Sequence, residues 1–359
     1  MATAALSYSA TAPATRAHPK AIAAWLLAVA ALVFAMVVVG GITRLTESGL
    51  SIVKWNPIGG MVPPLSRTEW EAMFAMYKAS PQYQLVNAGM TLTAFKGIFF
   101  WEWLHRLLGM SIGIVFALPL ATFAALRWIP RGYGWRLVAL LGLGGLQGAV
   151  GWWMVASGLV NRPSVAHERL AVHLVNALVL MSGCIWTALS LRQEGVSSSS
   201  EAANRPSLWV VPFLALLTVQ IVWGAFTAGL RAGHASDTWP LMFDQWIPPL
   251  ASIVDDPVSV QFVHRTLAYA VALAALAVAT VTFRAGAGRR AVAMGVLVLL
   301  QVALGIATIV HGVPIALAAA HQACAALLLA STIWTAHWSL RGGHWSLWGG
   351  HWSLRGARR

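Results

Sequence analysis

EWLHR at residues 102–106 and QFVHR at residues 261–265 are two forms of one pattern, and each lies in an apolar segment of membrane-spanning length. Ionisable side chains are costly in such segments, so they usually face the interior of a helix bundle, a cavity or a ligand. Another histidine follows each pattern two apolar segments later, at His173 in the first half and at His321 in the second. The sequence therefore predicts two copies of one unit, each with two intramembrane histidines.

The composition indicates a membrane protein. Of the 359 residues, 58% are hydrophobic and only 10% are charged, and the apolar runs are long enough to cross a bilayer as helices. We predict an all-α membrane protein with eight transmembrane helices in two pseudo-symmetric four-helix bundles. The predicted segments are about 22–42, 97–118, 137–156, 170–191, 208–229, 262–283, 291–310 and 315–335.

The formal net charge of +13 has a topological explanation. With the N-terminus placed inside, the basic excess falls almost entirely on the inner loops and tails, whereas the outer loops balance. This distribution leaves no basic surface that calls for a nucleic acid partner. The first twenty residues lack an apolar core and a cleavage site, so we expect the first segment to act as an uncleaved anchor. We expect a multi-pass protein of the bacterial plasma membrane with both termini cytoplasmic, in preference to the mitochondrial inner membrane.

The duplication extends beyond the histidines. VGGITRLTESG at 39–49 aligns with WGAFTAGLRAG at 223–233, and QGAVG at 147–151 aligns with QVALG at 301–305. Repeats of this kind predict two related bundles, each able to hold a cofactor between facing helices. The predicted organisation is a cytoplasmic tail at 1–21, an N-terminal bundle at 22–192, a cytoplasmic linker at 193–207, a C-terminal bundle at 208–335 and a low-complexity cytoplasmic tail at 336–359.

The two halves differ outside the membrane, where the first outer loop runs from about 43 to 96 and its counterpart only from about 230 to 260. SRTE at 66–69 is a capping-box pattern, and aromatic and apolar residues follow it at helical spacing. We predict a short amphipathic helix from about 66 to 79 on the outer surface. Two interpretations stay open for this helix, a lid over a ligand or simple packing of the loop.

The four intramembrane histidines are candidate iron ligands. His105, His173, His264 and His321 all fall in the outer halves of segments that run from outside to inside, which places each pair at one depth. Two imidazoles that project from facing helices, with no cysteine and no carboxylate cluster beside them, suit a haem iron held from both sides. For any one of them, a hydrogen-bonded polar residue or a step in a proton path is the alternative.

Other polar residues near these segments receive separate interpretations. Arg106 and Arg265 lie toward the outer ends of their helices, where they could bind haem propionates. We expect His311 to lie at the membrane interface. We expect three other histidines to be solvated and three glutamines to join helices to one another: His18, His167 and His234, and Gln147, Gln220 and Gln301.

Taken together, these motifs resemble the heme A synthase family. The resemblance is carried by the two patterns at 102–106 and 261–265, by His173, by HQ at 321–322, by GGITRLTESGLS at 40–51 and by WNP at 55–57, and it extends from about residue 22 to residue 334. Some bacterial members carry cysteine pairs in the outer loops. The two cysteines of this chain, Cys184 and Cys324, both lie inside segments, so the similarity is to the cysteine-free, mitochondrial-like and alphaproteobacterial branch.

The resemblance implies an oxidoreductase that converts a methyl substituent of haem O to the formyl group of haem A for terminal oxidase biogenesis. It implies haem O between His105 and His173 in the N-terminal bundle, and a haem b with a bis-histidine iron between His264 and His321 in the C-terminal bundle. The partners implied are haem O and haem A, haem O synthase, assembly factors of terminal oxidases, an electron acceptor and membrane lipid. Association into a homo-oligomer stays open.

Glu102 is the residue by which the two copies differ, because Gln261 stands at its place in the second. It lies one helical turn from His105, and a carboxylate there could accept protons from the methyl group or from water. We therefore predict a catalytic role for Glu102, with an ion pair to Arg106 as the alternative.

Two other classes of protein remain in competition. A di-haem electron-transfer cytochrome linked to quinol or quinone would use the same paired histidines without needing Glu102 or the long first loop. A transporter or haem-delivery protein is disfavoured, because central breaks by Gly or Pro at matching positions are not evident.

Overall fold

The computed structural model describes residues 17–54, 59–160, 164–193 and 207–340. Over these ranges the chain is helical, with ten α-helices and only an isolated β-bridge between Met242 and Gln245. The helices are α1 (Pro19–Leu45), α2 (Arg67–Lys78), α3 (Pro81–Leu85), α4 (Leu92–Ala125), α5 (Gly134–Val160), α6 (His167–Arg192), α7 (Ser207–Gly229), α8 (Pro257–Arg284), α9 (Gly288–Val310) and α10 (Ile315–Leu340).

Eight of these helices are long and apolar enough to cross a membrane. They are α1 and α4 to α10, and each contains one of the eight predicted segments, so the predicted fold class is confirmed. Several helices run past the predicted ends, for example α4, which extends from Leu92 to Ala125. The predicted linker and the HWSL repeats after residue 340 lie outside the described residues, as does WNP at 55–57.

Helix α10 continues to Leu340 and therefore includes the first residues of the tail predicted at 336–359. His337 is buried, and its Nε2 lies 3.1 Å from the Ser190 hydroxyl of α6. A polar residue with a partner on a neighbouring helix is stabilised in the packed interior, and composition alone does not reveal that partner.

The long helices pack in two groups of four. In the first, α1 packs on α4 and α6, and α5 packs on α6; in the second, α7, α8, α9 and α10 each pack on the next, and α10 returns to α7. The groups meet through α1, α6, α7 and α10. Polar contacts add to this packing besides the contact between Ser190 and His337. The Gln322 amide donates to the Val37 carbonyl at 2.8 Å, Arg44 donates to the Gly229 carbonyl at 2.8 Å, and Arg231 pairs with Glu47 at 2.5 Å.

The main hydrophobic core lies at one end of the helix assembly. It takes in residues 22–37 of α1, 177–191 of α6, 271–279 of α8 and 326–336 of α10, together with parts of the other long helices. On each of the four helices that carry a candidate ligand, the histidine lies toward the other end. Tight packing at one end therefore fixes the helices, while the other end has room between them.

The predicted outer helix exists as α2, and both halves of its capping box are formed. Its aromatic residues pack on the first turns of α4: Trp70 lies 4.9 Å from Phe99 between ring centres, and Phe74 lies 5.0 Å from Phe95. Tyr77 is fully buried in the same cluster. Such aromatic pairs contribute beyond their buried area, so α2 is fixed to α4 and not loosely attached.

We predict that Ser66→Ala will weaken the start of α2 by about 1 kcal/mol, because it removes the acceptor for the Glu69 amide. Backbone hydrogen bonds from Ser66 and Leu65 hold the pKa of the Glu69 carboxyl below its usual value. The stabilisation that the ionised Glu69 carboxylate gives to the start of α2 is therefore present above the ordinary carboxyl pKa. It is lost as the pH falls through the lowered pKa of Glu69. Hydrogen exchange of the α2 amides measures both effects.

Thr68→Ala is the matched control for this prediction, because Thr68 is an exposed residue in the same turn. Equal exchange rates in the two variants would contradict the capping role of Ser66.

Two candidate histidine sites

The N-terminal candidate site lies between α4 and α6. His105 of α4 and His173 of α6 approach with their ring centres 6.5 Å apart and their planes inclined at 40°. Both rings are partly exposed, although the helices that carry them are packed against α1. The structure thus brings together the two histidines that the sequence assigned to the first unit.

The C-terminal candidate site repeats this arrangement between α8 and α10. The ring centres of His264 and His321 are also 6.5 Å apart, and their planes are inclined at 81°. Both rings are again partly exposed. The two sites agree in the distance between their rings and differ in the angle between the ring planes.

The spacing of each pair fits a single metal ion between two rings. A metal–imidazole bond is about 2.0 Å long and the ring centre lies roughly 1.2 Å behind the bonding nitrogen, so two rings on one ion have centres about 6.4 Å apart. The residues present therefore fit a haem iron that the two histidines of each pair would bind.

A glycine of a neighbouring helix lies against each of the four rings. A Cβ atom added at any of these glycines would lie 2.9–3.2 Å from a histidine Cε1, closer than ordinary side-chain contacts. The glycine and histidine pairs are Gly40 with His105, Gly151 with His173, Gly224 with His264, and Gly305 with His321. The ends of the aligned stretches at 147–151 and 301–305 are therefore places where a helix must lack a side chain to accommodate a ring.

A glutamine amide contacts three of the four rings. The Nε2 atoms of Gln147, Gln220 and Gln301 lie 3.2 Å from a ring nitrogen of His173, His264 and His321, respectively. Each glutamine stands one turn before the glycine that faces the same ring. The prediction that these glutamines join helices is confirmed, and their partners are the candidate ligands themselves, which sequence spacing alone did not reveal.

Glu102 is buried and makes three hydrogen bonds. Its carboxylate accepts from the Ser51 hydroxyl at 2.6 Å, from the Ile52 amide at 2.8 Å and from the Arg106 guanidinium at 2.5 Å. Arg106 also donates to the Ile52 carbonyl at 3.1 Å. The ion pair considered as the alternative for Glu102 is thus present, and it fastens the start of the first outer loop to α4.

Gln261 and Arg265 fasten the corresponding outer loop of the second half to α8. The Gln261 amide donates to the Gly233 and Ser236 carbonyls at 3.2 and 2.9 Å. Arg265 donates to the carbonyls of Ser236 and Thr238 at 2.8 and 2.7 Å. In each half, therefore, the first and last residues of the repeated pattern hold an outer loop beside the candidate ligand.

The prediction that His167 is solvated is wrong, because the residue is buried. Its ring meets Phe226 of α7 edge-on at 5.3 Å, and its Nε2 lies 3.6 Å from an Asp255 carboxylate oxygen. The residue packs between the two halves, an environment that a loop position does not predict. His18 and His234 are exposed as predicted. His311 is also exposed, and its position at the membrane interface stays a prediction.

The fold and the paired rings define a class: a membrane protein with eight spanning helices and two related two-histidine sites. Residues 23–333 match the sequence profile of the COX15-CtaA family, described as cytochrome oxidase assembly protein. The chain therefore belongs to this family.

Curated relatives agree with this assignment. The chain is 52% identical over 328 residues to a heme A synthase of Rhizorhabdus wittichii, an alignment that covers 89% of this chain and 94% of the relative. It is 47% identical over 341 residues to a heme A synthase of Sphingopyxis alaskensis, with 93% and 95% covered. It is 48% identical over 334 residues to one from a Caulobacter species, with 90% and 96% covered.

We predict that Gly305→Ala will displace His321 and reduce the haem retained in the C-terminal half, because the new methyl group would lie 2.9 Å from the ring. Gly295→Ala on the same helix is the control, since a methyl group there meets no atom within 4 Å. Haem absorbance per purified protein measures the effect. Equal haem content in both variants would contradict the close approach.

Proposed function

We propose that this chain is a heme A synthase, an oxidoreductase that converts a methyl substituent of haem O to the formyl group of haem A for terminal oxidase biogenesis. The observation that carries the proposal is the pair of rings 6.5 Å apart in the N-terminal half, with a carboxylate one turn from one of them. The curated relatives named heme A synthase, which align with about nine-tenths of the chain, support the same reaction.

The two sites are assigned different occupants. We assign haem O, as substrate, to His105 and His173 in the N-terminal bundle at 22–192, and haem b to His264 and His321 in the C-terminal bundle at 208–335. The support for this division is the buried carboxylate at 102, which the second half replaces with an amide. A bound haem b would supply a one-electron redox centre.

Arg106 and Arg265 are proposed to bind the propionates of the two haems. Both guanidinium groups lie one residue beyond a candidate ligand, at the end of the helix assembly away from the main core. The Nε atom of Arg265 is buried and has no hydrogen-bond partner among the described residues, so it remains available as a donor. An anionic carboxylate satisfies such a donor well.

Glu102 is proposed as the proton acceptor of the reaction. Conversion of a methyl group and one water to a formyl group releases four electrons and four protons, in two stages through an alcohol. The electrons pass to an external acceptor of the membrane, and the protons need a base near the methyl carbon. The Arg106 contact and the two donors at 51 and 52 hold the Glu102 carboxylate in place one helical turn from His105.

We also propose the membrane in which the protein resides and the branch of the family to which it belongs. The distribution of basic residues supports a bacterial plasma membrane protein with both termini cytoplasmic and with the histidine sites toward the outer face. Both cysteines are buried within α6 and α10, which supports the branch without cysteine pairs in the outer loops. Haem O synthase, oxidase assembly factors and a second copy of the chain remain proposed partners.

One observation favours the second candidate, a di-haem electron-transfer cytochrome. The separation of the rings is the same in both halves, as it would be if both sites held permanent haems. The two functions differ in outcome, because a cytochrome leaves the haems it binds chemically unchanged.

We predict that His264→Ala or His321→Ala will remove haem b, whereas His105→Ala or His173→Ala will retain it. Each change removes one proposed iron ligand from one bundle only, and the main core lies away from all four residues. Acid-solvent extraction followed by chromatography and mass analysis of the haems measures the result. A full complement of haem b in His264→Ala protein would reverse the assignment of the bundles.

Glu102→Gln is predicted to lower haem A formation by about 10²-fold or more, because the amide cannot accept a proton. Gln is nearly isosteric and can still accept a hydrogen bond, so the protein should fold and bind haem. Cells with this variant should accumulate haem O, with some of the alcohol intermediate.

Ser51→Ala is the control for this variant, because it removes one contact to the same carboxylate and leaves the carboxylate itself. Substantial haem A formation in Ser51→Ala and little in Glu102→Gln is the expected result. Equal losses in the two variants would mean that Glu102 only anchors the loop, and normal haem A in Glu102→Gln would contradict any catalytic part.

A further inference from the structure

We propose that Met36 leaves His105 as the weakly held ligand of the N-terminal site, so that haem O can enter and haem A can leave on that side. This inference rests on the proposed function, in which one bundle exchanges its haem and the other keeps it. Met36 is a positioning residue in this proposal, because it acts through His105 and not on the substrate.

The first observation is a break in the repeated pattern of glutamine, glycine and ring. The residue one turn before the facing glycine is Gln147 for His173, Gln220 for His264 and Gln301 for His321, and each amide lies 3.2 Å from its ring. For His105 the facing glycine is Gly40, and the residue one turn earlier on α1 is Met36. When the sequences of the two halves are aligned, Met36 stands at the position that corresponds to Gln220.

The contacts of Met36 show what replaces the missing amide. Its terminal methyl group lies 3.0 Å from the place of a Cβ at Gly109, one turn beyond His105 on α4. Gln220 instead reaches both the ring and the carbonyl of His264, at 3.2 and 3.1 Å. Within the described part of the chain, the buried Nδ1 atoms of His105 and His321 both have no hydrogen-bond partner. His321 differs from His105 because the Gln301 amide contacts the other nitrogen of its ring, Nε2, at 3.2 Å.

The second observation is independent of the side chains and concerns the helix that carries His105. In the C-terminal half, α8 and α9 pack along much of their length, whereas their counterparts α4 and α5 make only limited contact. α5 is also largely exposed, with Trp152 and Trp153 on its surface. The helix that carries His105 is therefore less constrained on one side than the helix that carries His264.

Ligand chemistry links these two features to exchange. A histidine that binds a metal usually makes a second hydrogen bond that fixes its ring, and loss of that partner typically costs 10–100-fold in metal affinity. A permanent cofactor gains from ligands whose rings are both held, and in the C-terminal site Gln220 contacts Nδ1 of His264 and Gln301 contacts Nε2 of His321. A substrate that must leave as product is released faster when one of its two ligands is weakly held.

The test is an exchange of the two residues that differ. Met36→Gln supplies the fourth amide, and Gln220→Met copies the N-terminal pattern into the C-terminal site. Each purified protein, loaded with haem O and haem b, is mixed with excess apomyoglobin, and the rate at which each haem is transferred is recorded. Met36→Leu controls for side-chain size, since leucine is apolar and similar in volume.

We expect Met36→Gln to slow the transfer of haem O by about tenfold and to leave haem b unchanged. We expect Gln220→Met to accelerate the transfer of haem b by about tenfold, and Met36→Leu to behave as the unchanged protein. Low-spin spectra in every variant would show that both rings still bind iron.

Three results would overturn this inference alone, and a fourth would overturn the proposed function with it. Unchanged haem O transfer in Met36→Gln would show that the amide does not hold the ring, and equal slowing of both haems would indicate a general effect on folding. Gln220→Met gives an independent result if Met36→Gln does not fold, and unchanged haem b transfer there would also contradict the proposal. Failure of the unchanged protein to bind haem O would overturn the proposed function as well, which separates the two failures.

Discussion

The separation of two imidazole rings is the constraint on which the rest of this structure depends. Both pairs have their ring centres 6.5 Å apart, a gap that one metal ion bound by both rings would span. The gap is maintained because the helices are fixed elsewhere, by a core at the opposite end of the assembly. Glycines then allow the neighbouring helices to approach the rings without filling the space between them.

The outer loops depend on the same helices. In each half the pattern that supplies a candidate ligand also supplies two polar side chains that hold a loop, through Glu102 and Arg106 in one case and Gln261 and Arg265 in the other. Displacing such a helix would therefore disturb both the ring and the loop above it. This coupling explains why a short sequence pattern combines a histidine with two residues that need partners outside the membrane interior.

Most of the fold followed from the sequence, because apolar length and histidine register are local properties. The eight spanning helices and the capped outer helix were predicted from such signals. What could not be predicted depends on partners distant in sequence. The burial of His167 requires Phe226 of the other half, and the extension of α10 requires Ser190 to contact His337. The glutamines were visible as polar residues, but their ring partners lie on other helices.

The two halves differ around one ligand more than around the other three. That ligand is His105. Glu102 lies one turn before it on α4, and Met36 lies one turn before the glycine that faces the His105 ring. Helix α4, which carries His105, also packs loosely on α5. In the second half the corresponding residues are Gln261 and Gln220, and the corresponding helices pack closely. A duplicated unit needs to keep the separation of its rings to bind the same kind of group twice. It can then differentiate by changing the charge and the hydrogen bonds around a single ring, which alters chemistry and exchange without altering the fold.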